Sequence, residues 1–151
     1  MRLPLTGGCQ CAGVRYEIRA APLTVYACHC SECQRQSGGA FSLSMVVARD
    51  AIAIVAGTPR EWCRVHPSGR VIRCLFCGDC GVRLWHNPDR NPKVSIVKPG
   101  TLDDTKWLRP VGHIWTGSAQ AWVDIPVDTV NDPAQPPDLS RLMEAWRASQ
   151  R

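Results

Sequence analysis

The sequence contains no long apolar run. No stretch of its 151 residues approaches the roughly 18 consecutive apolar residues that a membrane span requires. The first five residues lead directly to Thr6, Gly7, Gly8 and Cys9, without the hydrophobic segment of a signal peptide. These two absences predict a cytoplasmic protein without a membrane partner.

Positive charge is present but is never concentrated. The formal net charge is +5, yet no run of five or more Lys or Arg residues occurs. Such a surface can attract an anionic substrate, whereas nucleic-acid binding usually needs clustered positive residues. We therefore do not expect a nucleic-acid partner, and the charge alone indicates no other partner. The oligomeric state is not indicated by the sequence.

The overall composition predicts a globular, β-rich protein. Hydrophobic residues make up 44% of the chain and charged residues 21%, which excludes a disordered protein. Twelve prolines and twelve glycines favour many turns between short elements. A chain of this length buries roughly 68–70% of its unfolded surface, enough for one domain with a substantial core.

Apolar and polar residues alternate along most of the chain. Val14, Tyr16 and Ile18 alternate with charged residues, which predicts a strand at residues 14–18 with one buried face. A helical turn or tight loop is expected at residues 34–39. Further strands are predicted at residues 23–27, 41–47, 51–55, 61–66, 70–76, 82–86, 93–97, 110–115 and 119–125.

The end of the chain differs in character from the rest. Three prolines at positions 133, 136 and 137 predict a stiff linker, after which Asp138 can cap a helix. We therefore predict a domain at residues 1–130 and a Pro-rich linker with a C-terminal helix at residues 131–151. The apolar face of this helix comprises Leu139, Leu142, Met143 and Trp146.

Nine cysteines are the most informative feature of the composition. Their number is odd, and at least seven belong to C-x-C or C-x-x-C clusters. In a chain without a secretion signal, this pattern favours metal binding over disulfides. The densest cluster is the C-x-C-x-x-C run of Cys28, Cys30 and Cys33, whose thiols can converge on one point. Zinc is the natural occupant of such a set of soft ligands.

A second set of cysteines has the spacing of a structural zinc site. Cys77 and Cys80, followed by Gly81, form a zinc-knuckle motif, because a tight turn directs both thiolates towards one point. Cys9 and Cys11 supply the other half. We predict that these four cysteines bind one structural zinc ion, whose binding energy contributes to folding.

Cys63 and Cys74 remain outside these two sets. Cys74 also forms a C-x-x-C pair with Cys77 and is a rival ligand, but strand residues three apart point to opposite faces. If the hairpin turn occupies residues 67–70, including Pro67, Cys63 faces Cys74 across the two strands. We expect a reduced pair that behaves as small apolar side chains.

The run at residues 28–33 offers three ligands, whereas tetrahedral zinc takes four. An open fourth position is typical of a catalytic zinc site. The alternative is a closed site, completed by a histidine from elsewhere or by Cys74. His29 lies inside the run, but we expect its ring to point away from the thiols and to pack. Three thiolates weaken the Lewis acidity of zinc yet still allow it to deprotonate an incoming thiol, which favours a thiol substrate that attacks a small electrophile.

The cysteine motifs occur in a specific order, within residues 8–17 (GCQCAGVRYE), 28–38 (CHCSECQRQSG), 76–81 (FCGDCG) and 100–104 (GTLDD). In this order and spacing the chain resembles the glutathione-dependent formaldehyde-activating family, which includes the centromere protein V-like proteins. Residues 110–115 and 121–122 are weaker matches. Ala12 departs from the family, which often has glycine at this position.

The resemblance implies a mostly β fold of several coiled antiparallel sheets around zinc sites, an architecture called a β-tent. It also implies two zinc ions per chain. The named activity of the family joins glutathione and formaldehyde into S-hydroxymethylglutathione and is classed with the carbon–sulfur lyases. The implied ligands are Cys9, Cys11, Cys77 and Cys80 at a structural zinc, and Cys28, Cys30 and Cys33 at a catalytic zinc.

The residues after the catalytic run are candidates for substrate binding. We expect Arg35, Ser37 and Gly38 to meet the substrate, because the carboxylates of glutathione favour a nearby arginine. The leading hypothesis is a zinc-dependent carbon–sulfur lyase or synthase that adds a thiol to formaldehyde or another small aldehyde, or cleaves such adducts. Since thiols and formaldehyde also combine spontaneously, the rival hypothesis is a non-catalytic zinc-binding module that carries a thiol or binds a macromolecular partner.

Overall fold

A computed structural model of the protein describes residues 1–65 and 68–151. Two α-helices, α1 (Ser31–Ser37) and α2 (Ser140–Ser149), accompany three 3₁₀ helices at Arg49–Ala51, Pro99–Thr101 and Thr116–Ser118. The strands are β1 (Leu5–Gly8), β2 (Arg15–Ile18), β3 (Thr24–Cys28), β4 (Ser42–Ala48), β5 (Ile52–Ala56), β6 (Arg60–Val65), β7 (Val71–Phe76), β8 (Arg83–Pro88), β9 (Val94–Val97), β10 (Gly112–Ile114) and β11 (Val130–Asp132).

The predicted mostly β fold with a short C-terminal helix is confirmed. With one exception, each predicted strand agrees with an observed one to within two residues at either end. In the part of the chain that the structure describes, no helix combines the length and apolar character needed to cross a membrane. The chain divides into two compact units, one formed by Met1–Pro22 and Val46–Trp107, the other by Leu23–Met45 and Leu108–Arg151.

The first unit contains an antiparallel three-stranded sheet in the order β1-β2-β5 and an antiparallel array in the order β9-β8-β7-β6. Tyr16 of β2 lies at the centre of its core and is completely buried. Its hydroxyl is 2.7 Å from Oγ1 of Thr101, and its ring packs edge-on against Trp85 at 5.6 Å between centroids. A side chain at Gly7 would lie 2.7 Å from the Tyr16 ring, so the close approach of β1 requires glycine.

The second unit contains strands β11, β10 and β3 and the first four residues of β4, in the order β11-β10-β3-β4, and β10 runs parallel to both β3 and β11. Helix α2 packs on β3, where the Thr24 hydroxyl donates to the Leu142 carbonyl at 3.0 Å. Leu142 and Trp146 form its buried face, as predicted. The Asp138 carboxylate accepts the Ser140 amide at 2.8 Å, but Leu139 occupies the N-cap position, so Asp138 lies one residue before the cap position that the sequence predicts for it.

Replacing Leu142 by alanine should lower the free energy of unfolding by about 2–5 kcal/mol, because the cavity left by a buried leucine closes only in part. Leu142 is 1% exposed, and its Cδ2 atom packs tightly against Gly112. Urea denaturation measures the effect. Met143→Ala, at the neighbouring half-buried position, is the control, and an equal loss in both variants would contradict the packing described here.

The predicted register of the β6–β7 hairpin is wrong by one residue. Cys63 pairs with Arg73, and Trp62 pairs with Cys74. Residues 66–70 separate the paired Val65 and Val71, one residue more than the four assumed, and a shift of one residue moves a side chain to the other face. Cys63 is therefore exposed while Cys74 is buried. His66, which ends the strand predicted at residues 61–66, and Pro67, which begins the predicted turn, lie outside the described residues.

The sequence prediction differs from the structure in two further respects, a predicted strand that is absent from the described residues and observed strands that the sequence does not predict. The strand predicted at residues 119–125 is absent from the described structure, and β11 forms instead at residues 130–132. Trp122 is 74% exposed, so the alternating apolar residues at 119–125 do not form a buried strand face. Conversely, Gly7 and Gly8 belong to strand β1, although glycines at this point predict a turn.

Candidate metal centres

The thiols of Cys9, Cys11, Cys77 and Cys80 converge in the first unit. Their sulfur atoms all lie within 4.8 Å of one another. Sγ of Cys11 is 3.4 Å from Sγ of Cys9 and 3.7 Å from Sγ of Cys77. Tetrahedral zinc with Zn–S bonds of about 2.3 Å places its sulfur ligands about 3.8 Å apart. These separations are close to those of a zinc tetrahedron, so the four donors fit a zinc ion, and we call them the four-thiol group.

Tight turns on both sides produce this convergence. At the first turn the Val14 amide donates to Sγ of Cys9 at 3.2 Å, and the Ala12 amide donates to the Cys9 carbonyl at 3.0 Å. Ala12 has φ +60°, a left-handed conformation that favours glycine. At the second turn the Gly81 amide donates to the Cys77 carbonyl at 3.0 Å, with φ +74° at Gly81. Each turn thus directs two thiols to the same side.

Backbone amides favour the thiolate form of Cys80 in the four-thiol group. Hydrogen bonds from the amides of Val82 and Cys11 lower the pKa of Cys80 to about 6. Because the thiolate is the metal-binding form of cysteine, this ligand is available to metal at neutral pH.

The thiols of Cys28, Cys30 and Cys33 converge in the second unit, again within 4.8 Å of one another. Cys28 ends strand β3, Cys30 caps helix α1, and Cys33 lies in its first turn. The helix begins at Ser31, earlier than the turn predicted at residues 34–39. We call these cysteines the three-thiol group. They supply three of the four ligands that zinc takes.

One sulfur of the three-thiol group has pronounced thiolate character. Hydrogen bonds from the side chains of Cys28 and then Cys33 lower the pKa of Cys30 to about 2. The Cys33 amide also donates to Sγ of Cys30 at 3.4 Å. The same side-chain hydrogen bond with Cys30 raises the pKa of Cys28. The group thus concentrates negative charge on Cys30, as expected of a site for a soft cation.

His29 anchors the cysteine run to the core, as expected of a packing residue. It is completely buried, and its Nε2 atom lies 2.9 Å from Nδ1 of His113. Its ring centroid is 5.2 Å from that of Phe41. Burial, with the charge of His113, lowers the pKa of His29, which keeps the imidazole neutral. The His29 carbonyl accepts hydrogen bonds from Gln34 Nε2 at 2.7 Å and Ser118 Oγ at 3.1 Å.

The three predicted substrate residues have different surroundings. Arg35 is exposed and pairs with Glu32 at 2.6 Å. Ser37 closes the end of α1, since its hydroxyl oxygen lies 2.9 Å from both the Cys33 and Phe41 carbonyl oxygens. Gly38 ends the helix with φ +63°. Arg35 and Gly38 border a shallow cavity of ≈ 440 Å³, which Gln34, Gly39, Ala40, Gln120 and Trp122 also line.

Gln120 and Trp122 have no predicted role in substrate binding, because the sequence predicts a strand at residues 119–125. The remaining cysteines, Cys63 and Cys74, join neither thiol group among the described residues. Cys74 donates to the Ile72 carbonyl at 3.5 Å, and burial raises its pKa. Its surroundings are those of a small apolar core residue.

Comparison with known proteins identifies related sequences. Two fungal relatives, from Penicillium rubens and Talaromyces marneffei, both bear the name "Putative glutathione-dependent formaldehyde-activating enzyme" and are 30% and 25% identical to this chain over 107 residues. The aligned part covers 68% of this chain in each case. The chain spans about half the length of these relatives, 55% and 56%.

The fold also resembles a solved structure. A crystal structure of a Rhodobacter sphaeroides protein matches with a TM-score of 0.54 at 20% identity, covering 70% of this chain and 92% of the other. At this identity the match concerns the fold alone. The family model described as glutathione-dependent formaldehyde-activating enzyme matches residues 4–118, which include every cysteine of both thiol groups. The chain therefore belongs to the glutathione-dependent formaldehyde-activating enzyme family.

Proposed function

We propose that the protein is a zinc-dependent carbon–sulfur lyase that adds glutathione, or a related thiol, to formaldehyde or another small aldehyde. The observation that carries this proposal is the half-buried group of three converging thiols, which supplies three of the four ligands of zinc. In this proposal Cys28, Cys30 and Cys33 hold the catalytic zinc. A second, structural zinc is held by Cys9, Cys11, Cys77 and Cys80.

The reaction is balanced without a further reagent. A carbon–sulfur bond forms between the thiol sulfur and the carbonyl carbon, and the thiol proton ends on the carbonyl oxygen. Zinc bound by thiolates, when present, lowers the pKa of an added thiol ligand and so supplies a nucleophilic sulfur at neutral pH. The reverse reaction cleaves the same adduct.

The residues around the three-thiol group hold it in place for this chemistry. Cys28 is fixed by strand β3 and Cys30 by the start of helix α1, while the His29 backbone is bonded to both Gln34 and Ser118. Arg35, Ser37 and Gly38 are proposed to meet the substrate. A cytoplasmic location fits this chemistry, because glutathione keeps thiols reduced there.

Cobalt substitution combined with rate measurement tests the proposal. Cobalt–thiolate absorption grows with the number of thiolate ligands, so adding glutathione to the cobalt protein should increase it. The zinc protein should also form S-hydroxymethylglutathione faster than the spontaneous reaction, as measured by exchange NMR. A rate equal to the spontaneous one overturns the enzyme assignment in favour of a thiol carrier, and unchanged absorption contradicts thiol binding at the metal.

A further inference from the structure

We propose that the cavity at the end of α1 recognises the non-reacting part of the substrate thiol, with Gln120 and Trp122 as specificity-determining residues. The ligand class is a peptide-like thiol that carries a carboxylate, in preference to a small thiol without either feature. This inference rests on the proposed function, since it assumes that the thiol sulfur binds at the three-thiol group. The two side chains belong to the loop after the 3₁₀ helix at Thr116–Ser118.

A chain of hydrogen bonds joins this loop to the cysteine run. The Trp122 indole donates to Gln120 Oε1 at 2.7 Å, and Gln120 Nε2 donates to Gln34 Oε1 at 3.2 Å. Gln34 Nε2 then donates to the carbonyls of His29 at 2.7 Å and Ser118 at 2.9 Å. Gln34 directly follows Cys33 in helix α1. The cavity wall is therefore attached to the residues that position the three-thiol group.

The direction of this chain follows from the chemistry of its ends. An indole N–H can only donate, and a backbone carbonyl can only accept. In both Gln120 and Gln34 the side-chain oxygen therefore accepts from the preceding group and the side-chain nitrogen donates to the next one. Within the part of the chain that the structure describes, the second N–H of Gln120 makes no hydrogen bond. It can donate to a peptide carbonyl of a ligand in the cavity.

The other walls add a cation and an aromatic surface. The Arg35 side chain is 77% exposed, and its pair with Glu32 is of the surface kind that contributes about 0–1 kcal/mol. A ligand carboxylate can therefore replace Glu32 at little cost and can bind the guanidinium through two hydrogen bonds. The Trp122 ring is 74% exposed and offers a large apolar face.

The size of the cavity fits such a ligand. Its volume of ≈ 440 Å³ lies within the range of about 300–1,000 Å³ for small-molecule sites. Gly38 leaves open space on one side, since a Cβ atom there would meet nothing within 4 Å. Amide, cationic and aromatic groups together match a peptide with a carboxylate. 2-Mercaptoethanol has a single hydroxyl and neither a carboxylate nor a peptide group, so it cannot use the three kinds of group together.

The test measures thiol selectivity in the zinc-loaded full chain. Dissociation constants for glutathione and for 2-mercaptoethanol are determined by calorimetry in the parent protein and in Trp122→Ala. Loss of one aromatic anchor should weaken glutathione binding roughly tenfold and leave 2-mercaptoethanol binding unchanged. Trp62→Ala is the matched control, because Trp62 is also exposed, at 53%, but lies in strand β6 of the first unit.

Equal weakening for both thiols, or no weakening of glutathione binding, would overturn the inference. Zinc content and Tm are measured in parallel to show that the variants are loaded and folded. Rates of adduct formation separate this inference from the proposed function. If the parent rate equals the spontaneous rate while Trp122→Ala loses selectivity, the cavity assignment stands and the enzyme assignment fails. If the parent rate exceeds the spontaneous rate while Trp122→Ala keeps the selectivity of the parent, the enzyme assignment stands and the cavity assignment fails.

Discussion

Replacing Cys77 by serine should release one zinc ion per chain and unfold the first unit. Cys77 belongs to the four-thiol group, which joins two turns whose cysteines Cys11 and Cys77 lie 66 residues apart. Structural zinc sites bind with apparent free energies of about 10–16 kcal/mol. The net stability of a domain is only about 5–15 kcal/mol. Loss of this site therefore removes an amount of free energy comparable to the whole stability of the fold.

Metal analysis and thermal unfolding measure this effect. In Cys77→Ser we expect one zinc in place of two, with Tm lowered by about 10 °C or more, or protein that does not fold. Chelator treatment of the parent should give the same loss of Tm. Cys63→Ser is the control, since Cys63 is exposed and belongs to neither thiol group. Two zinc ions and an unchanged Tm in Cys77→Ser would refute the structural role.

Replacing Cys30 by serine should reduce adduct formation to the spontaneous rate while leaving the fold intact. Cys30 is one of the three converging thiols, and hydrogen bonds from the side chains of Cys28 and Cys33 lower its pKa. Without it only two thiols remain, too few to hold zinc firmly. Serine is also a preferred residue at a helix N-terminus. It can accept the Cys33 amide as Cys30 does, so helix α1 should persist.

The decisive measurement compares rates at equal glutathione and formaldehyde concentrations. Cys30→Ser should retain one zinc, at the four-thiol group. Its Tm should equal that of the parent protein from which only the metal of the three-thiol group has been removed. Cys63→Ser should keep the full rate. A rate for Cys30→Ser equal to that of the parent would exclude the three-thiol group as the reaction site.

The two thiol groups can be predicted from sequence because their members lie close together along the chain. Within a C-x-C or C-x-x-C motif, local turns alone decide where the thiols point. At Cys77 and Cys80 the required left-handed residue is visible as Gly81. The first turn uses Ala12 in a left-handed conformation, which its residue type does not reveal. The strands follow similarly from local alternation of apolar and polar residues.

The remaining features depend on partners that are distant in sequence. The contact of His29 with His113 joins residues 84 positions apart, and no local pattern predicts it. The register of β6 and β7 depends on the length of the turn between them. One residue more than predicted in this turn pairs Cys63 with Arg73 in place of Cys74. The loop containing Trp122 shows strand-like alternation, yet its indole bonds to Gln120 beside it. The hydrogen bonds of Gln34 with Gln120 and with the Ser118 carbonyl join residues 86 and 84 positions apart, so they become apparent only in the fold.

The two thiol groups become complete at different moments in the life of the polypeptide. Cys28, Cys30 and Cys33 leave the ribosome almost together, whereas the four-thiol group stays divided until Cys80 is made, 47 residues after Cys33. At about 5–20 residues per second this interval is roughly 2–10 s. The nascent chain therefore offers a site for scavenging metal before its stabilising site exists. If both groups bind zinc as proposed, the group completed last is the one on which folding depends, so the first unit can become stable only after Cys80 has been made.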